Sequence, residues 1–407
     1  MSEMLVNTTT VDLQHQPSVT GFVISGISRY FAAWADNSDS TIKGRIFDTD
    51  GDPAGGEFLV NTAAPGANTR RQRPTVGNSM SGPVVAWIEN AFNPPGPRPH
   101  VKMQRYNGEG QKLGQEVQVS TQDADPTHRP AISSMIDGGF LIVWVDARPD
   151  SRIRAQRFTV DGVKAGAEFT VNVGEGFHQS PAVTRLTGTD AAGNQGNYVV
   201  AWRADPSPPG GGALHFRVFT FDGTAVTNEI RPNLSGFSGG MSITFIDDGR
   251  FAIAHVRNLG LSDIGVPKST INVTVYEADG ADANIPIIAT TGGQIINSSS
   301  PALASLLGGR FLLTWVQKAA DTFATSTSVR ARVFSTELGS GVGEEVQVST
   351  ATAGDRSESV VARAGGFGEP ESAFIAWTDD SLTPPDVSGF AVRARAALVA
   401  NGVQLLG

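Results

Sequence analysis

The sequence predicts an all-β protein: a seven-bladed β-propeller with four antiparallel strands per blade. The first observation behind this is the tryptophans. Trp34, Trp87, Trp144, Trp202, Trp315 and Trp377 are all the protein has, and each ends a short apolar run: FAAW, PVVAW, FLIVW, YVVAW, FLLTW, FIAW. The second is a seventh run, Phe251-Ala252-Ile253-Ala254-His255, which lies between Trp202 and Trp315 and has His in the Trp place. The third is that Glu3-Met4-Leu5-Val6-Asn7-Thr8 repeats Glu57-Phe58-Leu59-Val60-Asn61-Thr62, while the chain ends at Gly407 where another copy is due. Self-similarity at a regular period overrides the roughly two- or three-domain prior for a chain of this length. Residues 1–407 are therefore read as one domain.

Each repeat has the same parts. A Pro-x-Val-like segment (Pro17-Ser18-Val19, Pro74-Thr75-Val76, Pro130-Ala131-Ile132, Pro181-Ala182-Val183, Pro301-Ala302-Leu303) opens a first strand, where a missing N–H is tolerated. The Trp run is a second strand, too apolar to have a solvated face. A third strand alternates, as in Ile42–Phe47, Ile153–Phe158 and Val329–Phe334, which marks a half-buried position. Asp50-Gly51, Asn107-Gly108, Asp161-Gly162, Asp222-Gly223, Asp279-Gly280 and Asn401-Gly402 then supply the positive φ of a tight turn, with Glu337-Leu338-Gly339 the departure in repeat six. A fourth strand follows at Glu57–Thr62, Glu116–Thr121, Glu168–Val173 and Glu345–Thr350. After Asn401-Gly402 no such strand remains, so residues 3–8 are expected to supply the outer strand of blade seven and close the ring.

Insertions fall between second and third strands: Asn93–Pro99, Pro206–Gly212, Leu259–Ser269 and Leu382–Ser388. They build up one face of the disc, as surface drift or as binding loops. With net charge −9 and no run of Lys or Arg, nucleic acid is not an expected partner. No apolar run reaches the ~18–20 residues of a membrane helix, and no signal peptide is expected at this N-terminus. The chain has no Cys, so disulfides and thiolate metal sites are excluded, and the compartment is left open.

The residues before each opening Pro are expected at the mouth of the central channel, one pair per blade: His15-Gln16, Gln72-Arg73, His128-Arg129, Gln179-Ser180, Gly239-Gly240, Ser299-Ser300 and Arg356-Ser357. His178 stands one place further out. Just past the Trp of the second strand come Asp36, Glu89, Asp146, Gln317 and Asp379, with Asp205 one further on and Arg257 in blade five. These acids either form ion pairs that hold the loops or contribute to a polar pocket. Because the mouth residues differ from blade to blade, a single off-centre site is expected, not seven equal ones. Its candidate ligand-binding residues are His15, Gln72, Arg73, His128, Arg129, His178, Arg356, Asp36, Asp146 and Asp379.

No pair of His has metal-ligand spacing, and neither HExxH nor GxSxG occurs, so no metal site or cofactor is predicted. Asp48–Asp52 resembles a calcium loop but lacks the terminal bidentate Glu and occurs once, which favours a hairpin turn. Gly210–Gly212 has no phosphate-binding partner residues. His255 is expected to be buried and satisfied by a backbone carbonyl; His100 and His215 carry no assigned role.

The repeat (Val60-Asn61-Thr62, Pro74-Thr75-Val76, Gly138-Gly139-Phe140 leading to Trp144, Ile153–Phe158, Asp161-Gly162) resembles one found in large secreted bacterial proteins of the hemolysin-type, RTX-associated and adhesin kinds. The resemblance spans the chain and implies the propeller scaffold and an extracellular setting. The nonapeptide calcium repeats of RTX proteins are missing here. A more distant resemblance is to the propeller of cylindrocyclophane-type alkylating enzymes, whose calcium-binding domain is missing and whose catalytic residues match no positions in this sequence.

The leading functional expectation is a protein that binds a glycan or another polar, anionic small molecule at the channel mouth. The alternative is an enzyme using the same mouth, a polysaccharide lyase or an alkylating enzyme. His15 or His128 would then act as general base, and Arg73 or Arg129 would steady negative charge. A structural or adhesion module is the third option.

Overall fold

The apolar Trp runs become the second strands of seven antiparallel sheets. The structure, a computed structural model, describes residues 3–10, 12–62, 68–91, 98–147, 149, 151–188, 193, 195–205, 212–234, 236–261, 267–289, 294–295, 301–318, 326–350, 354–365, 370–381, 389–399 and 402–406. Blade one runs outward from the channel as Gln14–Ile24, Ile27–Asp36, Thr41–Phe47 and Phe58–Leu59. Blade two is Thr69–Ser79, Gly82–Ala91, His100–Tyr106 and Lys112–Gln118, and blade three Ala131–Ser134, Phe140–Val145, Ile153–Phe158 and Phe169–Thr170. Blade four has Phe177–Arg185, Tyr198–Asp205 and Ala213–Phe219; its outer strand shortens to a bridge at Ile230, which exchanges backbone bonds of 3.0 and 2.9 Å with Phe216. Blade five is Phe237–Phe245, Phe251–Leu261, Pro267–Tyr276 and Asp282–Ile288. In blade six two pieces, Gln294–Ile295 and Ala302–Leu306, pair with Arg310–Lys318, followed by Thr327–Ser335 and Ser340–Gln347. Blade seven is Arg356–Ala364, Ser372–Asp379 and Ala391–Leu398, with an outer strand assembled from both ends of the chain.

Each second strand is buried on both sides because each sheet packs between two others. All six Trp side chains are fully buried or nearly so. Each lies against the preceding blade: Trp87 packs with Phe31 and Ala33 of blade one, and Trp34 packs with Phe374 and Ala376 of blade seven. At roughly 1.5–3 kcal/mol per buried large apolar side chain, these interfaces are the main stabilising term.

A polar stack crosses each of the six sheets that carry a Trp, beside that residue. The third-strand residue paired with it is a cation or a histidine: Lys43 opposite Trp34, Lys102 opposite Trp87, Arg154 opposite Trp144, His215 opposite Trp202, Arg330 opposite Trp315, Arg393 opposite Trp377. Each reaches the Glu of its own outer strand, at 3.8 Å in Lys43–Glu57, 3.6 Å in Lys102–Glu116, 2.8 Å in Arg154–Glu168, 2.6 Å in His215–Glu229, 3.5 Å in Arg330–Glu345 and 3.6 Å in Arg393–Glu3. Five of these carboxylates accept a backbone amide from the previous blade: Thr8 to Glu57 at 2.8 Å, Thr62 to Glu116 at 3.0 Å, Thr121 to Glu168 at 3.0 Å, Val173 to Glu229 at 2.9 Å and Thr350 to Glu3 at 2.7 Å. The sequence reading gave His215 no role, yet it is the partner of Glu229 in this stack.

The ring closes where the sequence predicts. Met4 pairs with Ala394 and Leu5 with Arg393, while the Val6 amide donates to Val392 O at 2.8 Å. Asn7 Oδ1 accepts the Val392 amide at 2.8 Å, as Asn61 does for Ile42 in blade one. The expectation that residues 3–8 supply the whole outer strand needs one extension. Gln404–Leu405 pairs with Leu398 and Ala397, so both chain ends share that strand. The two pieces meet where blades two and six carry an outer-strand register shift, so little ladder is lost.

Two other expectations change. In blades one, two and four the inner strand begins before the Pro-x-Val segment, and the Pro sits at a register shift, between His15 and Ser18, Gln72 and Thr75, Gln179 and Ala182. A bulge needs no ladder N–H there. In place of a loop across Leu259–Ser269, the described residues at both ends continue the strand pair, Asn258 with Ser269 and Leu261 with Pro267, with a bulge before Gly260 (φ 87°), while 262–266 lie outside the described residues. The insertions at 92–97, 206–211 and 382–388 lie outside the described residues, as do Ser299, Ser300 and Asn401. Asp48 Oδ1 accepts the amides of Asp50 and Asp52 at 3.1 and 2.8 Å, so that carboxylate caps the hairpin turn.

Deleting residues 1–8 removes buried Val6, half-buried Met4 and the amides that close blade seven. The expected loss is on the order of 3–6 kcal/mol, read as a lower midpoint in thermal or urea denaturation; an unchanged midpoint would refute the closure. At the blade-four seam, burial pushes the Glu229 carboxyl up. Hydrogen bonds from His215 and the Val173 amide, with the His215 charge, outweigh it and hold the group down at about 2 against an ordinary 4.5. A depressed carboxyl stabilises the fold above its unfolded value and loses that contribution as pH falls from about 4.5 towards 2. Glu229→Gln is expected to cost about 1–3 kcal/mol at neutral pH and to flatten the acid limb of the stability curve.

Candidate functional site

Inner strands are sheet edges, and their outward amides face the channel unpaired. Hydroxyls of the preceding blade meet several of them: Ser18 accepts from Val76 at 2.9 Å, Ser133 from Arg185 at 2.9 Å, Thr184 from Phe245 at 3.1 Å, and Ser242 from Leu303 at 3.1 Å. At the bulge the backbone turns to positive φ in Gln16 (57°), Arg73 (56°), Ser180 (53°), Gly240 (42°) and Glu358 (53°). Only Gly takes this conformation freely, so the four others are held by their surroundings.

A cavity of about 420 Å³ opens inside this ring, with Arg73, His128, Arg129, Ser180 and Glu358 on its wall. The bulge residues are tied to one another. The Gln16 amide donates to Glu358 Oε2 at 2.7 Å, Thr378 Oγ1 donates to the same oxygen at 3.1 Å, and the Arg73 amide donates to Gln16 Oε1 at 2.7 Å. Each guanidinium spends one donor on a carbonyl, Arg73 Nε on Pro126 O at 3.1 Å and Arg129 Nη1 on Pro17 O at 3.0 Å. Burial lowers the pKa of Arg73 and of Arg129, and the Glu358 carboxylate opposes that shift in both. His15 is likewise pushed down by burial and drawn up by Glu358.

The structure brings Arg73, His128 and Arg129 to one wall and places His15 within the field of the same carboxylate. The other candidates stand apart from this cavity. Gln72 donates to Pro126 O at 3.0 Å and braces the loop. His178 is buried against Asn172, 3.3 Å from its amide nitrogen. Arg356 is buried, donating to Thr327 O and Gly354 O at 2.8 Å each, with Asp379 3.7 Å away. Asp36 accepts from Ser38 N and Oγ at 3.0 and 2.6 Å; Asp146 pairs with Arg154 at 3.6 Å and Asp379 with Arg393 at 2.9 Å.

Sequence reasoning missed Glu358, the only carboxylate among the described residues lining the mouth. Blade seven has Ser359 where blades one to four and six have Pro, so the sequence pattern puts the mouth pair at Arg356-Ser357, one residue early. The Val-Val that follows, Val360-Val361 against Val19 in blade one, carries the correct alignment. The channel also continues into a second cavity of about 370 Å³, with Asn78, Arg185, Ser305 and Arg363 on its wall and Ile132 and Val183 common to both. Arg363 pairs there with Glu371 at 3.0 Å, and Arg185 lies over the Phe245 ring at 5.6 Å.

No protein-family model and no curated protein matches this chain. The hemolysin-type and alkylating-enzyme resemblances therefore have no family match behind them. Among solved structures, an ulvan lyase described as a new polysaccharide lyase family, PL25, bound to -[GlcA(1-4)Rha3S]-, is similar at a TM-score of 0.54 and 11% identity, over 100% of this chain and 96% of that one. A second structure of such a PL25 ulvan lyase gives 0.55 over the same shares. AofleA from Arthrobotrys oligospora, as an arginine-to-alanine triple mutant, gives 0.50 and 11% identity over 86% of this chain and 91% of that one. At such identity the likeness speaks for the fold alone.

Glu358→Ala leaves the Gln16 amide without its acceptor and removes the charge that offsets desolvation of the half-buried Arg73 and Arg129 guanidiniums. The expected loss is about 1–3 kcal/mol, measured by chemical denaturation. Stability equal to the wild type would show that the carboxylate does not hold the bulge ring.

Proposed function

We propose that the channel mouth binds an acidic glycan or a comparable anionic, polyhydroxyl small molecule. The observation that carries this reading is the wall itself: Arg73, His128 and Arg129 line it with one carboxylate, Glu358, in a cavity of about 420 Å³. That volume falls in the range of about 300–1,000 Å³ usual for small-ligand sites. The carbonyl bonds orient each guanidinium and leave further N–H donors for a planar anion, which such forks bind in bidentate fashion. Glu358, Ser180 and Thr127 supply acceptors or hydroxyls for ligand O–H groups. Since the five positive-φ bulge residues, Gln16, Arg73, Ser180, Gly240 and Glu358, all differ, one off-centre site fits better than a repeated one.

Catalysis at the same place is the second reading, favoured by an imidazole and two guanidiniums on one wall. A base beside cations is what proton abstraction next to a carboxylate requires. An ulvan lyase of this fold is bound to -[GlcA(1-4)Rha3S]-, which makes uronate oligosaccharides the first probes.

Calorimetric titration with acidic and neutral oligosaccharides tests the binding reading. The Arg73→Ala/Arg129→Ala double variant is expected to lose about a hundredfold or more in affinity for acidic ligands, and an unchanged affinity would retire the site. Release of an unsaturated uronate by the wild type, lost in His128→Ala with binding retained, would decide for the enzyme.

A further inference from the structure

Blade five departs from the other blades at three positions that are distant in sequence and adjacent in the sheet. His255 stands where they have Trp; its partner Asn272 stands where they have Lys, Arg or His. Asn272 pairs onward with Ile288, as Lys43 pairs with Leu59 in blade one. Two residues before Leu59 is Glu57; two before Ile288 is Pro286. The whole Trp–cation–Glu stack is thus replaced by His, Asn and Pro. The seam with blade four changes with it. Leu234, at the place of Thr62, has no outer-strand Glu to meet and returns its amide to Pro232 O at 3.0 Å.

The replacement leaves a cavity of about 400 Å³ with Asn233, His255, Arg257, Asn272, Asp282 and Asn284 on its wall. A neighbouring hollow of about 490 Å³ shares Asn233 and Leu234 and adds Arg231 and Phe237. His255 is only 2% exposed, and its Nδ1 has no hydrogen-bond partner; the buried Asn272 Oδ1 has none either. An unpaired buried polar atom is destabilising, and a hydroxyl-bearing ligand would relieve it. The expected partner of His255, a backbone carbonyl, is that of Ile253, and Nδ1 still has no partner.

The wall chemistry indicates the ligand. Burial, reinforced by Arg257, holds the His255 pKa down at about 4, so near neutral pH the ring offers one donor and one acceptor. Arg257 and Asp282 balance in charge, and the Asn side chains carry donors and acceptors in equal measure. Such a surface suits alternating O–H groups better than a phosphate or an ammonium. We propose that the cavity between blades four and five is a second binding site, for a neutral polyhydroxyl ligand of monosaccharide size. It is separate from the channel mouth and does not rest on the reading given for it.

Saturation-transfer NMR on the full chain with glucose, galactose, mannose, fucose and myo-inositol tests this. The wild type is expected to bind at least one of them, with the His255 imidazole resonances shifting on titration. His255→Trp restores the residue of the other blades and fills the cavity. It is expected to weaken that binding at least about tenfold with the circular dichroism unchanged and the melting temperature equal or higher. Asn272→Lys fills the same space from the opposite strand and gives the same test should His255→Trp fail to fold. The proposal is overturned if no probe binds the wild type, if the imidazole resonances do not move, or if binding survives both variants. Binding that survives both and disappears in Arg73→Ala/Arg129→Ala belongs to the channel mouth and also overturns it.

Discussion

The structure depends on carboxylates that each serve two blades. An outer-strand Glu takes the cation or histidine of its own sheet and the backbone amide of the sheet before it, as Glu57 does with Lys43 and Thr8. Single contacts of this kind contribute little, about 0–1 kcal/mol for a partly exposed pair. Their weight comes from position. They fix how far each sheet is rotated against its neighbour, so that the Trp of one blade meets the apolar strand of the last. Glu3 makes the closing seams chemically the same as the others: Thr350 donates to Glu3, and Thr8 donates to Glu57. A ring assembled this way has no distinguished weak seam at its ends.

That arrangement divides the residues into two classes. Positions that hold the blades together recur, because each seam solves the same geometric problem. Positions on the channel edge are released from it. At the bulge, Gln16, Arg73, Ser180, Gly240 and Glu358 share one backbone conformation and differ in side chain. Chemistry can vary there without disturbing the ring, and the charged residues gather on one side. Blade five shows the complementary case, in which the recurring class itself is given up. His255, Asn272 and Pro286 replace the stack together, a change that leaves the strands in register and opens space between sheets.

The fold was legible to a large extent because its signals are local. Trp at the end of an apolar run, Asp-Gly or Asn-Gly turns, and the Glu-x-x-Val-Asn-Thr segment each report a strand or turn from a few consecutive residues. The candidate site was legible only in part. Arg73, His128 and Arg129 were found because an opening Pro marks the bulge beside them. Glu358 was missed because Ser359 replaces that Pro. Asp36, Asp146 and Asp379 were grouped with the site on polarity alone. Their partners, Ser38, Arg154 and Arg393, are set by turn geometry and cross-strand register.

What the sequence determined by itself was the number of blades, the order of strands within them and the use of residues 3–8 to close the ring, since repetition and periodicity are properties of the chain read in one dimension. What only the tertiary structure decided was which polar groups face one another: the Glu358 carboxylate acting on Arg73, Arg129 and His15, the split outer strand of blade seven, and the cavity at His255. These juxtapose residues from different blades, separated by anything from a few dozen residues to nearly the whole chain. Their electrostatics follow from distance and burial, which no local pattern encodes.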